Sequence, residues 1–147
     1  MLTNRSMPRS SVIPELAYPD VGRAIGWLCD VFGFTLRVRI ASHRAQLNVE
    51  DGAVVLTERH PSEAPAASGA APAPVDRAHA VMVRVVDVDG HHERAARKGA
   101  RILRAPETHP YGERQYTVED LGGHVWTFSQ SIGDVAPEDW GGTSGHL

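Results

Sequence analysis

The chain has a single cysteine, Cys29, among 147 residues. A lone thiol closes no intrachain disulfide and nucleates no metal cluster, which fits a reducing compartment. Cys29 is expected to pack as a small hydrophobe on a helix. Basic runs are also missing. The formal charge of −3, from 15 Lys and Arg against 18 Asp and Glu, leaves no electrostatic footprint for nucleic acid. Apolar runs such as "AVMV" fall far short of the roughly 20 residues of a membrane span, and the opening "MLTNRSMPRS" lacks the apolar stretch of a secretory signal. These absences predict a cytoplasmic protein with neither nucleic acid nor membrane as partner. No phosphate-cradling loop, nucleotide fingerprint or Ser/His/Asp arrangement is visible. What is present, 41% hydrophobic and 22% charged residues, suits one compact domain with a real core.

The chain divides into two similar halves. Residues 12–18, "VIPELAY", read as a strand, and Asp20 can cap a helix whose Val21, Ala24, Ile25, Leu28 and Phe32 share a face. Gly33 ends it. The strands "TLRVRI", "AQLNV" and "GAVVLTE" follow, separated by turn residues. Residues 79–86, "HAVMVRVV", begin the order again: Asp87 caps a second helix, Gly99 ends it, and "RILRA", "RQYTV" and "HVWTFS" complete the set. The capping aspartates lie 67 residues apart, the terminating glycines 66, and the two "VED" runs at 49 and 118 lie 69 apart. This predicts an α+β fold of two βαβββ modules, residues 12–58 and 79–130, packed to form a cleft. Residues 1–11 read as a flexible N-terminus, 59–78 as an Ala/Pro-rich linker, and 131–147 as a turn-rich tail in which Trp140 docks on something.

The repeat, together with "DVDGHHERAARKGARI" and "YGERQYTVEDLGGHVWTF", resembles the vicinal oxygen chelate superfamily, the glyoxalase/bleomycin resistance/dioxygenase fold. Its PhnB-like and bleomycin-resistance-like branches are the nearest in wording. Tyr111, Gly112, Glu113, Arg114, Asp120, Gly123, His124 and Trp126 match the family's closing motif, while Leu121 stands where proline is usual. The resemblance covers residues 12–130 and implies two modules wrapping a cleft, often between the chains of a homodimer. It also implies, in metal-dependent members, a His or Glu on each module's first strand and a Glu on its last.

The resemblance places the first-strand ligand seven residues before the capping aspartate, here Ile13 and Ala80, and the last-strand ligand four residues after the turn glycine, here Leu56 and Thr127. None of these is a good ligand for a divalent ion, so no metal or other cofactor is expected. Only His79, one place from Ala80, and Glu58, two from Leu56, keep a metal site open. His91 and His92 point about 100° apart on a helix and read as a solvated face.

Strand alternation then places Glu15 beside Ile13, Val54 and Glu58 beside Leu56, Met82 and Arg84 beside Ala80, and Val125 and Ser129 beside Thr127. Arg114 and Tyr116 share a strand face, so one of them reaches the cleft. The expected ligand-binding set is Glu15, Leu56, Glu58, Met82, Arg84, Arg114 and Thr127, with Glu15 and Arg84 also able to pair across the modules. His124 reads as shaping its turn rather than as a base, and Trp126 as core. No catalytic residue is assigned. The leading expectation is a metal-free homodimer that binds a small, partly apolar organic molecule, as antibiotic-sequestering relatives do. The alternatives are a divalent-metal-dependent glyoxalase-like lyase, isomerase or dioxygenase, with Glu58 moving a proton, and a scaffold domain with a vestigial cleft.

Overall fold

A computed structural model describes residues 2–59 and 78–146. Most of the expected linker therefore lies outside the described residues. The first module contains β1 (Glu15–Tyr18), α1 (Val21–Phe32), β2 (Thr35–Ile40), β3 (Arg44–Val49) and β4 (Gly52–Glu58). The second contains β5 (Val81–Arg84), α2 (Val88–Arg97), β6 (Arg101–His109), β7 (Glu113–Glu119) and β8 (Val125–Ser131), and a 3-10 turn follows at Pro137–Trp140. Each module forms a four-stranded sheet, in the order β1-β4-β3-β2 (sheet A) and β5-β8-β7-β6 (sheet B), with the outer pair β1–β4 or β5–β8 parallel.

Both helices form where their caps allow. Asp20 accepts from the Arg23 amide at 3.0 Å and Asp87 from that of Gly90 at 3.0 Å, each satisfying an amide that the first helical turn leaves unpaired. Helix α1 buries Val21, Ala24, Ile25, Leu28, Val31 and Phe32, the expected stripe with Val31 added. Helix α2 buries only Val88 and Ala95, because most of its remaining positions are charged or polar.

The two modules share one core. Phe32 at the end of α1 meets Trp126 and Phe128 of sheet B at ring distances of 5.7 and 4.9 Å, and Phe34 meets Trp126 at 5.3 Å. Trp126, Phe128, Tyr116 and Leu28 are fully buried, as expected for Trp126. Cys29, half-buried, packs against the same cluster. Each sheet thus turns its helix-bearing face toward this core and its other face away from it.

Asp120 joins the modules. Its carboxylate accepts from the Tyr18 hydroxyl at 2.5 Å, the Trp126 indole at 2.9 Å, and the amides of Gly122 and His124 at 2.9 and 3.0 Å. Four donors around one buried carboxylate satisfy its charge. His124 shapes the joint as well as the turn, since its Nε2 donates to the Ala17 carbonyl at 2.8 Å. A side chain at Gly122 would meet the Tyr18 ring at 2.6 Å, so glycine is needed for this close approach.

Candidate functional site

Strand pairing fixes which side chains share a face. Met82 pairs with Thr127 and Arg84 with Ser129, while Thr127 and Ser129 pair in turn with Thr117 and Gln115. These six side chains lie on the open face of sheet B, opposite Val83, Phe128 and Tyr116. Met82 is 65% exposed there and offers an apolar surface. The face is polar beneath it. Gln115 donates to Ser129 at 3.1 Å and accepts from the Tyr111 hydroxyl at 3.2 Å, Ser129 donates to Glu113 at 2.7 Å, and Thr117 and Thr127 share a hydrogen bond of 3.3 Å. A concavity of about 210 Å³ lies over this surface, bounded by Met82, Arg104, Glu107, His109, Tyr111 and Thr127 among others.

Sheet A differs. Glu15 and Gln46 both pair with Val55 on its open face, and Ala17 and Arg44 with Thr57. Residues 5–7, expected to be loose, lie over that face: their backbone carbonyls accept from Gln46 (Ser6) and from Arg37 (Arg5 and Met7) at 2.9–3.0 Å. Gln46 is consequently 4% exposed and Val55 2%.

Three expected site residues lie elsewhere. Leu56 pairs with both Leu16 and Ala45 and is fully buried in the helix-side core. Glu58 pairs with Tyr18 and so shares that side. The cause is a difference in turn length. Through their partners Leu16 and Val83, Leu56 corresponds to Phe128, a spacing of 72, so counting four from Gly52 and from Gly123 selects opposite faces. Arg114 is the third correction. Its Nε donates to Asp89 of α2 at 3.1 and 3.2 Å, on the Tyr116 side, so neither member of that pair reaches the open face. Glu15 does lie on an open face, but it pairs with Arg44 at 2.9 Å rather than with Arg84.

The "VED" runs are not structural equivalents either. Pairing makes Leu47, not Val49, the counterpart of Val118, and Asp51 is exposed at its turn whereas Asp120 is buried at the joint.

His91 overturns the expectation of a solvated histidine pair. Its ring lies 3.9 Å from that of Phe128. Nε2 donates to the Phe32 carbonyl at 3.1 Å, so Nδ1 accepts from the Tyr116 hydroxyl at 2.5 Å. Burial, aided by the charge of Arg94, pulls its pKa down to about 4, and burial pushes that of Tyr116 up. No sequence signal distinguishes His91 from His92; only the packing of α2 does.

A divalent ion does not fit the positions where first and last strands meet on the open faces. Sheet A offers Val55, Thr57, Ala17 and a Glu15 already paired with Arg44; sheet B offers a thioether, two hydroxyls and a guanidinium. Nitrogen, thiolate and free carboxylate donors are missing from that set. His79 is exposed ahead of β5. Among the described residues no group of three His, Cys, Asp or Glu side chains is placed to hold a metal.

Comparison with known proteins agrees with this architecture. The model of the Glyoxalase/Bleomycin resistance protein/Dioxygenase superfamily matches residues 12–128. The crystal structure of TioX from Micromonospora sp. ML1 is 37% identical, covers 86% of this chain and 98% of its own, and superposes with a TM-score of 0.66. A glyoxalase/bleomycin resistance protein/dioxygenase from Nocardioides (19% identity, 94% and 90% coverage, TM-score 0.61) and a glyoxalase/bleomycin resistance protein from Streptomyces sp. CB03234 (21%, 81% and 100%, TM-score 0.59) share the fold. No curated protein matches the chain.

Proposed function

The chain belongs to the Glyoxalase/Bleomycin resistance protein/Dioxygenase superfamily, and on that premise we propose that it binds a small, partly apolar organic molecule without a metal, in the manner of an antibiotic-sequestering protein. The observation that carries the reading is the open face of sheet B. It combines an exposed Met82 with hydroxyl, amide and guanidinium groups over a concavity of about 210 Å³. Apolar contact there supplies affinity, and Arg104, Gln115, Thr117 and Thr127 supply orientation, whereas Arg84, on the same strand face, does not line the concavity. The donor-poor strand faces argue against a metal-dependent lyase or dioxygenase, whose chemistry needs a divalent ion to polarise substrate oxygens.

The concavity is small for a whole drug-sized ligand, which takes about 300–1,000 Å³. A second copy of the chain, forming a homodimer, supplies the remaining wall. Met82 and Val86, 65% and 91% exposed at the β5 edge, are the apolar groups such a contact covers. A cytoplasmic location follows the same reading as the lone thiol.

The test is a panel of aromatic and peptide antibiotics measured by calorimetry against the wild type and Met82→Trp. The larger ring fills the concavity, so binding is lost while the melting temperature holds. Unchanged affinity removes the site from sheet B.

A further inference from the structure

Three aromatic side chains meet at the edge of the concavity on sheet B, two of them lining it. His109, the last residue of β6, and Tyr111, two residues on, hold their rings parallel to within 2° with centroids 5.0 Å apart. Trp140, from the 3-10 turn of the tail, adds a third ring 5.1 Å from Tyr111 and tilted by 52°. His109 and Tyr111 both line the concavity.

Docking of the tail alone does not account for the row. The tail is already held where the Ile132 amide donates to the Gly112 carbonyl at 2.8 Å. Gly112, at φ 81°, has no room for a side chain: an added Cβ would meet the Gly133 carbonyl at 2.5 Å. Yet Trp140 remains 44% exposed, so its ring is not a buried plug. Tyr111 is fixed instead by its hydrogen bond to Gln115, which is tied to Ser129, so the ring stands ready before anything binds.

We propose that His109 and Tyr111, with Trp140 packed behind Tyr111, form the stacking wall of a subsite on sheet B for a planar aromatic ring system with hydrogen-bonding substituents. This rests on the reading of that face as a ligand site and specifies what part of a ligand it takes. The volume of about 210 Å³ suits one ring system rather than a whole drug-sized molecule. Aromatic rings prefer offset or tilted contact with one another, an attraction additional to area burial, so flat unsaturated groups are favoured over saturated ones of the same shape. Thr117, Thr127 and Arg104 face the same space and select polar substituents at the ring edge.

A matched pair of probes isolates the stacking: 2-naphthalenemethanol and its decahydro analogue carry the same primary alcohol on a flat and on a saturated bicycle. Calorimetry on the full chain should show one 2-naphthalenemethanol site per chain and roughly fivefold weaker binding of the saturated alcohol. Tyr111→Leu should erase that preference and Tyr111→Phe keep it, each with a melting temperature confirming the fold. The Trp140 indole N–H resonance, identified by its loss in Trp140→Phe, should shift on saturation. Equal affinity for the two alcohols, or a preference that survives Tyr111→Leu, overturns the aromatic wall. If both alcohols bind equally and Met82→Trp blocks both, the sheet B site stands and only the wall fails. If neither alcohol binds, the subsite is refuted, and the antibiotic panel with Met82→Trp then decides the wider reading separately.

Discussion

Asp120 answers donors from both modules at once. Its loss would leave the Tyr18 hydroxyl and the Trp126 indole buried without an acceptor. Asp120→Ala is therefore expected to destabilise the protein by about 3 kcal/mol or more, read from urea unfolding. Tyr18→Phe, which removes one donor and keeps the ring, should cost about 1 kcal/mol. The strand positions that would hold a metal lead to a different expectation. Chelator-stripped protein titrated with manganese, nickel, zinc or iron(II) should show no saturable rise in melting temperature, because a ligand held only by the native state would produce one. A rise at one ion per chain that depended on His79 or Glu58 would reverse the assignment.

At the scale of elements, helix α2 is seated by His91, and that seat is sensitive to acid. The His91 pKa is lowered to about 4 in the folded chain and returns to the ordinary value near 6.5 on unfolding. The unfolded state thus binds the extra proton between these values, and stability falls as pH drops through that window. The expected loss between pH 7 and 5 is about 2 kcal/mol. His91→Gln, which does not titrate, should flatten the dependence in urea melts taken across that range. Elements were also what the residues revealed most readily. Asp20 and Asp87 mark both helices, and the apolar stripe of α1 gives its buried face. Strand limits were less legible: β1 begins only at Glu15, after Pro14, which has no amide to donate to a ladder. Faces were legible where the count began correctly, as for Met82 and Thr127, and not where a shorter turn shifted it, as for Leu56. His91 could not be read from its own helix at all, because the groups that bury it, Phe32, Tyr116 and Phe128, come from three other segments.

For the whole molecule, the repeat yields two sheets of the same order with unequal open faces. No helix among the described residues is long and apolar enough to cross a membrane. If a second copy completes the wall over Met82, sedimentation should give twice the chain mass of 15.9 kDa, and Met82→Glu should shift the protein toward monomer. Deleting residues 2–10 should uncover Gln46 and Val55 at a cost of about 1–2 kcal/mol, with faster amide exchange confined to sheet A.

The segment that crosses sheet A has a practical side for anyone handling this protein. The carbonyls of Arg5, Ser6 and Met7 are already engaged with Arg37 and Gln46. An affinity handle fused to the front of the chain begins only a few residues from that contact, and a protease that trims the front removes the contact. A handle placed behind the tail instead approaches Trp140 and the aromatic row. Each end of the chain therefore reports on a different sheet, and matched preparations tagged at opposite ends would separate an effect of the handle from a property of the protein.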